Sequence, residues 1–195
     1  MNFLAHLYLS PDNPQIMIGN FVADHIRGNK FEGYSKDFKK GIRLHRAIDS
    51  FTDSHEVVKI SKRRLHERYG HYDGVIIDIF YDHFLAKNWH KYSQIPLFTY
   101  TNSIYKLLEN NKINLPKKTQ ELLPYIIKYN WLYNYQYESS IKEVLIGMNK
   151  RTKGKSQMHL AIEDLKTNYA DYESDFQLFF NDLIEYSLTV SKNLI

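Results

Sequence analysis

Side chains that can bind metal or transfer protons recur four residues apart in the first half of the chain. His45 and Asp49 form one such pair, and Asp78 and Asp82 form another. Residues four apart in an α-helix project from one face, and in both segments that face also carries Ile, Val or Leu. A carboxylate on an apolar face is costly to desolvate unless it is paired or binds a cation. The spacing therefore predicts a buried polar cluster.

Three further polar residues share this apolar setting. Asp24 lies within an apolar helical stretch, His6 interrupts the apolar N-terminal segment, and His83 adjoins Asp82. Facing helices that carry such groups build metal sites in bundle cores. Taken singly, each residue is explained as well by a hydrogen bond or a helix cap. Taken together they favour a shared cation, which neutralises several carboxylates in one place.

The ligand types indicate which metal and which reaction. The 195-residue chain has no Cys, and its candidate carboxylates outnumber its candidate imidazoles. This set suits manganese, magnesium or iron better than structural zinc. A metal held this way activates water and neutralises a phosphoryl oxygen, which favours hydrolysis of a phosphate ester. Enzymes that need a Walker-type loop, a dinucleotide fingerprint, a Gly-x-Ser-x-Gly elbow or a His-Glu-x-x-His helix fit less well, because the sequence has none of these.

Helices must position these side chains. Apolar residues follow helical spacing through most of the chain, and strand-like alternation is scarce apart from an ambiguous stretch at 133–137. Caps, glycines and prolines delimit the predicted helices, at 14–26, 36–51, 54–69, 73–89, 98–110, 118–128 and 131–148, with a loop at 147–155 and one or two long helices from residue 156. We expect an all-α protein whose residues 1–195 form a single helical-bundle domain.

Charge is distributed unevenly along the chain. The formal net charge is +4, yet residues 59–68 hold five basic side chains and residues 150–155 hold four, while 163–185 is strongly acidic. The basic segments indicate an acidic partner or substrate. The alternative is that they are solvated helix faces.

The N-terminal segment indicates the cellular location. It lacks the basic region and the long apolar run of a secretory signal, so we interpret it as mature sequence. No stretch approaches the length of a transmembrane helix, and the lack of Cys fits a reducing compartment. We predict a cytoplasmic protein with no membrane partner.

Five groups of residues run through the chain in a fixed order: Asn2-Phe3-Leu4-Ala5-His6-Leu7; Gly19-Asn20, Ala23-Asp24 and Arg27-Gly28; Gly41-Ile42, His45-Arg46, Ile48-Asp49 and Thr52-Asp53; Asp78, Asp82-His83-Phe84-Leu85 and Trp89; Gly147-Met148 with Arg151. In this order they resemble the acyl carrier protein phosphodiesterase family. That family looks like a divergent, all-helical branch of the HD phosphohydrolases. The His-Asp dipeptide typical of HD proteins is reversed here, as Asp24-His25 and Asp82-His83.

The resemblance implies an activity, a cofactor and a partner. It implies hydrolysis of the phosphodiester between 4′-phosphopantetheine and the serine of holo acyl carrier protein. It also implies a divalent metal, with manganese preferred and magnesium or iron as alternatives. Carrier proteins are acidic, which agrees with the basic segments of this chain. Nucleic acid is not expected as a partner, and the sequence does not fix the oligomeric state.

The resemblance also implies roles for individual residues. The metal ligands would come from His6, Asp24, His45, Asp49, Asp78 and Asp82. The catalytic candidates are Asp82, Asp53 and His83, with His83 as a proton donor to the leaving serine oxygen. The phosphate-binding candidates are Arg27, Arg46 and Arg151, since a guanidinium suits bidentate contact with phosphate. The carrier-binding candidates are Lys62, Arg63, Arg64, Lys150 and Lys153.

Three other functions stay open on the sequence alone. An enzyme of the same fold could hydrolyse a nucleotide or another small phosphate ester. A di-iron or similar metal-bundle oxygenase is disfavoured, because the Glu-x-x-His pairs of ferritin-like sites are missing. A non-enzymatic basic helical module that binds nucleic acid or an acidic protein would leave the inward carboxylates unexplained.

Overall fold

The computed structural model describes residues 2–28 and 31–194, and every regular element within these ranges is helical. This confirms the all-α prediction. The α-helices are α1 (Phe3–Tyr8), α2 (Pro14–Val22), α3 (Lys36–Ser54), α4 (Glu56–Tyr69), α5 (Asp73–Lys87), α6 (Leu97–Asn110), α7 (Lys117–Lys128), α8 (Trp131–Asn134), α9 (Glu138–Arg151), α10 (Ala161–Thr167) and α11 (Tyr169–Leu194). Short 3-10 turns join several of them.

Side-chain caps fix where the helices of the N-terminal half begin. The Asn13 side chain accepts hydrogen bonds from the first N–H groups of α2, and Pro14 occupies the first turn. The Ser35 hydroxyl accepts a hydrogen bond from the N–H of Phe38 and starts α3. These residue types satisfy N–H groups that have no partner inside the helix.

The predicted boundaries differ most from the structure at three places. The first long helix ends at Val22 rather than at residue 26, because residues Ala23–His25 tighten into a 3-10 turn that presents Asp24 outward. The predicted helix 131–148 is two helices, α8 and α9, separated near the ambiguous tyrosine-rich stretch. α9 also continues to Arg151, so the predicted loop shrinks to a turn in which buried Ser156 bonds to Asn149.

α2 and α3 cross at a pair of glycines. A Cβ atom on Gly19 would lie 2.1 Å from the carbonyl oxygen of Phe38. A Cβ atom on Gly41 would lie 2.2 Å from the carbonyl oxygen of Ile16. No side chain fits at either point, so the two backbones touch and Asn20, the neighbour of Gly19, lies against α3.

α1 depends on α5 for its position. It has six residues, which is too short for an isolated helix to be stable. The Asp82 carboxylate of α5 accepts hydrogen bonds from the N–H groups of Leu4 at 2.8 Å and Ala5 at 3.3 Å. A carboxylate at a helix N-terminus satisfies unpaired N–H groups and complements the helix dipole. The contact holds α1 so that His6 is buried.

α5 lies at the centre of the molecule. Most of its side chains are buried, as expected of a helix that is covered on all sides. Its Tyr81 ring packs against Phe176 and Phe179 of α11, with centroids 5.6 and 5.4 Å apart. α11 also packs against α3 and α4, so one long helix closes the core that positions the N-terminal helices. Within residues 2–28 and 31–194, no helix combines the length and low polarity that crossing a bilayer requires.

Candidate metal centre

Three side chains from α1 and α3 converge on one point. His6 Nε2 lies 3.2 Å from Asp49 Oδ1, and His45 Nε2 lies 3.1 Å from Asp49 Oδ2. The two imidazoles stack with centroids 3.9 Å apart. One ligand atom from each of the three residues lies within 4.8 Å of the other two. The predicted same-face pair, His45 and Asp49, is therefore joined by His6 across the helix interface.

Asp24 lies at the open side of this cluster. Its Oδ1 is 3.1 Å from His45 Nε2, and its side chain is 68% exposed, whereas that of His45 is 6% exposed. Asp24 is therefore the carboxylate of the set that solvent or a substrate reaches first.

The pKa values show how strongly these groups are coupled. Burial and the charge of His45 lower the pKa of His6 to about 4. Burial alone would lower the pKa of His45, but hydrogen bonds to Asp24 and Asp49 raise it to about 9. The hydrogen bond from His45 lowers the pKa of Asp24. Burial opposes ionisation of Asp49, and the two imidazoles outweigh it, so its pKa is also lowered.

The proton positions leave room for a cation. Each histidine directs Nδ1 at an oxygen of Asn20: His45 at the backbone carbonyl, 2.7 Å away, and His6 at the side-chain Oδ1, 2.9 Å away. Nδ1 must then carry the hydrogen in both rings, and a neutral imidazole presents its Nε2 lone pair. Both Nε2 atoms face carboxylate oxygens of Asp49, and in the metal-free protein His45 Nε2 carries a hydrogen that bonds to Asp24 and Asp49. A divalent metal that takes the place of this hydrogen would be shared by the two Nε2 atoms and the Asp49 carboxylate.

The other two predicted carboxylate ligands lie on α5. Asp82 is fully buried, and its described contacts are with the N–H groups at the start of α1. Burial raises the pKa of Asp82 to about 7, against the hydrogen bonds from Leu4 and Ala5. Burial also raises the pKa of Asp78, and the charges of Asp49 and Asp53 act in the same direction. The charges of the α3 carboxylates therefore reach Asp78. Its role as a ligand stays a prediction, as does that of Asp82.

The remaining catalytic candidates are engaged elsewhere. Both ring nitrogens of buried His83 have partners, the carbonyl of Tyr135 at 2.8 Å and the hydroxyl of Tyr169 at 2.7 Å. Asp53 is exposed, with its Oδ1 3.7 Å from Lys62 Nζ. Neither contact joins the residue to the histidine cluster, and their catalytic roles stay predictions.

Two cationic side chains lie close enough to His25, the neighbour of Asp24, to affect its pKa. Burial and the charges of Lys118 and Arg151 lower the pKa of His25, the neighbour of Asp24. His25 Nδ1 also lies 2.6 Å from the Thr119 hydroxyl on α7. α7 and α9 therefore bring Lys118 and Arg151 towards the residue next to the cluster. The sequence singled out Arg151 but not Lys118, since α7 shows no pattern beyond ordinary amphipathicity.

The other two phosphate-binding candidates, Arg27 and Arg46, differ in their contacts. Arg27 is exposed. Arg46 is exposed too, but it donates to the carbonyl of Gly28, and its guanidinium lies 5.2 Å from the centroid of the Phe31 ring. These contacts tie Arg46 to the segment after Asp24.

The two basic segments differ in their pairing. In 59–68, Lys62 pairs with Asp53 and Arg64 with Asp175, while Arg63 is exposed. In 150–155, Lys150 and Lys153 are exposed, and no ion pair involves them within the described residues. Among the described residues, the second segment therefore presents more unpaired positive charge than the first, where Arg63 alone has no ion pair.

Sequence comparison decides the family. A family profile described as acyl carrier protein phosphodiesterase matches residues 1–183. The chain belongs to the acyl carrier protein phosphodiesterase family. Relatives named acyl carrier protein phosphodiesterase include one from Photorhabdus laumondii, 34% identical over 188 residues (95% of this chain, 94% of the relative). Another, from Pectobacterium atrosepticum, is 30% identical over 190 residues (97% of this chain, 98% of the relative).

The family assignment confirms the resemblance drawn from the motifs. The similarity extends to Escherichia coli, whose acyl carrier protein phosphodiesterase is 30% identical over 186 residues, covering 95% of this chain and 96% of the relative. No solved structure matches the chain. The relation of this acyl carrier protein phosphodiesterase family member to the HD fold therefore stays a prediction.

Proposed function

We propose that this protein hydrolyses the phosphodiester that links 4′-phosphopantetheine to the serine of holo acyl carrier protein, with a divalent metal as cofactor. One observation carries the proposal: two imidazole Nε2 atoms and the carboxylate of Asp49 converge in a chain of the acyl carrier protein phosphodiesterase family. The names of its relatives support the substrate. The products are apo carrier protein and 4′-phosphopantetheine.

His6, His45 and Asp49 would hold the metal, with Asp24 at the exposed side as a further ligand. Two nitrogens with two carboxylates form a mixed set that suits manganese or iron, and it is richer in nitrogen than magnesium sites usually are. Manganese is our first choice because carboxylates contribute half of the set. A metal bound there supplies a Lewis acid for a phosphoryl oxygen and lowers the pKa of a water.

The reaction itself needs few groups from the chain. The oxygen of a water attacks phosphorus, the bond from phosphorus to the serine oxygen breaks, and the attacking water gives up a proton while the serine oxygen takes one from solvent. The anionic Asp24 carboxylate, open to solvent, is suited to orient the attacking water and accept its proton. Lys118 and Arg151 are suited to bind the non-bridging phosphate oxygens, where an Arg makes bidentate contact.

The carrier would dock on the side that carries residues 150–155. Charge complementarity between an acidic carrier and unpaired lysines raises the rate of encounter. The 59–68 segment contributes less under this proposal, because acids of this chain already neutralise Lys62 and Arg64. Docking at 150–155 brings the carrier to α9, whose last residue, Arg151, affects the pKa of His25 next to Asp24.

The test is a single incubation of metal-loaded protein with holo carrier. Mass spectrometry of the mixture detects the carrier's loss of 4′-phosphopantetheine and the free arm. We expect conversion with manganese, none with chelator, and restoration when manganese is added back. His45→Ala supplies the inactive control.

A parallel incubation with nucleotides and bis(p-nitrophenyl) phosphate addresses the other substrate classes. If a nucleotide is hydrolysed while holo carrier stays intact, the substrate is a small phosphate ester and not the carrier. Full conversion in chelator, with no bound metal detected by elemental analysis, would refute the proposed metal dependence.

A further inference from the structure

Asn20 is a buried residue that touches both histidines of the metal centre. It is 0% exposed, and α2 holds it against α3 at the crossing of Gly19 and Gly41. Its backbone carbonyl oxygen lies 2.7 Å from His45 Nδ1, and its side-chain Oδ1 lies 2.9 Å from His6 Nδ1. One residue thus contacts both imidazoles on the side away from Asp49.

The orientation of the Asn20 amide is fixed by its other contacts. Its Nδ2 donates to the carbonyl oxygen of His6 at 2.8 Å and to the Ser10 hydroxyl at 2.9 Å. The Ser10 hydroxyl itself donates to the carbonyl oxygen of His6 at 2.9 Å, so towards Asn20 it acts as an acceptor. A flipped amide would set Oδ1 against these two acceptors. Oδ1 therefore faces His6, and the His6 Nδ1 must donate to it.

The tautomer of each ring follows from these contacts. A carbonyl oxygen accepts but never donates, so His45 also carries its hydrogen on Nδ1. Both rings then offer Nε2 as the ligand atom, aimed at the carboxylate of Asp49. A histidine that binds metal through one nitrogen is oriented by the hydrogen bond that the other nitrogen makes.

We propose that Asn20 is the positioning residue of the metal centre and sets the tautomer and direction of both imidazoles. The inference rests on the proposed function for the presence of a divalent metal. The two contacts of Asn20 differ in kind, because its side chain bonds to His6 and its backbone carbonyl bonds to His45. Substitution at residue 20 should therefore weaken metal binding through His6 and leave His45 in place.

Calorimetric titration of Mn²⁺ into metal-free protein tests this without any substrate. We expect Asn20→Ala to weaken Mn²⁺ binding 10- to 100-fold, the usual effect of removing the partner of a ligating histidine. Asn88→Ala is the matched control. Asn88 is also a buried amide that donates to a carbonyl and a second side chain, Phe84 and Glu173, but it contacts none of the cluster. It should bind Mn²⁺ within twofold of wild type.

A double-mutant cycle separates positioning from a general loss of structure. In a His6→Ala background, Asn20→Ala should change Mn²⁺ affinity less than twofold, because the ring it orients is gone. An equal loss with and without His6 would show that Asn20 acts through packing alone and overturn the inference.

A milder variant covers the case in which Asn20→Ala does not fold. Ser10→Ala removes an acceptor of the Asn20 amide and a hydrogen bond to the backbone of His6, but none to a ligand side chain. It should weaken Mn²⁺ binding a few-fold only when His6 is present. Wild-type affinity in Ser10→Ala, or in a folded Asn20→Ala, would overturn the positioning role and leave the proposed function standing. A wild-type protein that binds no Mn²⁺ would instead overturn the metal centre, and the positioning role with it.

Discussion

Asp49 is the residue on which the candidate metal centre depends most. Each of its two carboxylate oxygens faces a different imidazole, at 3.2 and 3.1 Å. We expect Asp49→Asn to lower turnover of holo carrier at least about 100-fold and to weaken Mn²⁺ binding, because an amide supplies one neutral oxygen where two anionic ones stood.

Asp37→Asn is the matched control for this substitution. Asp37 lies on the same helix with the same 39% side-chain exposure, and it pairs with Lys40. Turnover should stay within twofold of wild type in Asp37→Asn. Near wild-type turnover and Mn²⁺ affinity in a folded Asp49→Asn would remove Asp49 from the centre.

His45 gives the metal-free protein a stability that depends on pH. Its pKa rises from 6.5 to about 9 on folding, so the folded state holds its proton more tightly than the unfolded state. The stabilisation is complete below pH 6.5 and is lost as pH rises to about 9. Urea unfolding in chelator should show the free energy of unfolding falling across this range. His45→Gln should flatten the profile, and an equal fall in both proteins would contradict the assignment.

For individual residues, the sequence predicts contacts within one helix and misses contacts between helices. His45 and Asp49 are recognisable because helical spacing alone puts them on one face. Asn20 is part of the family motif Gly19-Asn20, yet nothing in its spacing links it to His6 and His45, since those bonds cross from α2 to α1 and α3. The same spacing rule placed Asp82 in the predicted polar cluster, but the rule cannot show that its carboxylate also binds the N–H groups at the start of α1.

The crossing of α2 and α3 sets the spacing of the whole centre. Because the backbones touch at Gly19 and Gly41, a methyl group at either position separates the helices and moves Asn20 away from His45. We expect Gly41→Ala to lower the free energy of unfolding by about 1–3 kcal/mol or more, the cost of overpacking, and to weaken Mn²⁺ binding as well. Urea unfolding and calorimetry measure the two effects.

Gly147→Ala is the control for the same chemical change. Gly147 lies within α9, and a Cβ atom there would meet nothing within 4 Å. Alanine should stabilise that helix by roughly 0.5–1 kcal/mol. A Gly41→Ala protein as stable as wild type would show that the helices separate without cost.

The sequence predicts where helices lie better than how they meet. Pro14, Ser35 and Gly70 mark ends through local chemistry, and those ends agree with the structure. The break between α8 and α9 was missed, because the tyrosines at 133–137 fit a helix face and a strand equally well. The glycine crossing was also missed, since a glycine inside a helix signals a close approach only once its neighbour is known.

For the molecule as a whole, a basic stretch of sequence does not always form a basic surface. Partners distant in the chain, Asp175 for Arg64 and Asp164 for Arg68, neutralise much of the 59–68 segment. These acids belong to the acidic stretch near the C-terminus, so two features that look separate in the sequence cancel in the fold. Local charge counts identify such segments but cannot show which of them face a partner.

Reversing one charge in each segment tests where the carrier docks. We expect Lys150→Glu or Lys153→Glu to lower kcat/KM for holo carrier, because the variant loses electrostatic attraction to the acidic carrier. Salt screens charges over about 8 Å at physiological ionic strength. Salt should therefore lower kcat/KM less in the variants than in wild type, because they have less attraction to lose. Lys62→Glu should have a smaller effect. Steady-state kinetics across a salt series make the comparison.

Lys142→Glu, an exposed site on α9, changes the net charge equally and serves as the control. Turnover of a small phosphodiester should be similar in all four variants. A loss as large in Lys142→Glu as in Lys150→Glu would mean that net charge, rather than a docking surface, governs encounter.

The hold of Asp82 on α1 has a consequence for how the protein is made. Synthesis proceeds from the N-terminus, so His6, Asp24, His45 and Asp49 all leave the ribosome before the residue that anchors α1. The hydrogen-bond acceptor of the Leu4 N–H is Asp82, 78 positions later in the chain. A helix of six residues is not stable without such a partner. A nascent chain that ends before α5 therefore carries His6, Asp24, His45 and Asp49 but lacks the residue that positions His6 beside the other three. The proposed metal centre can therefore form only late in synthesis, when α5 docks.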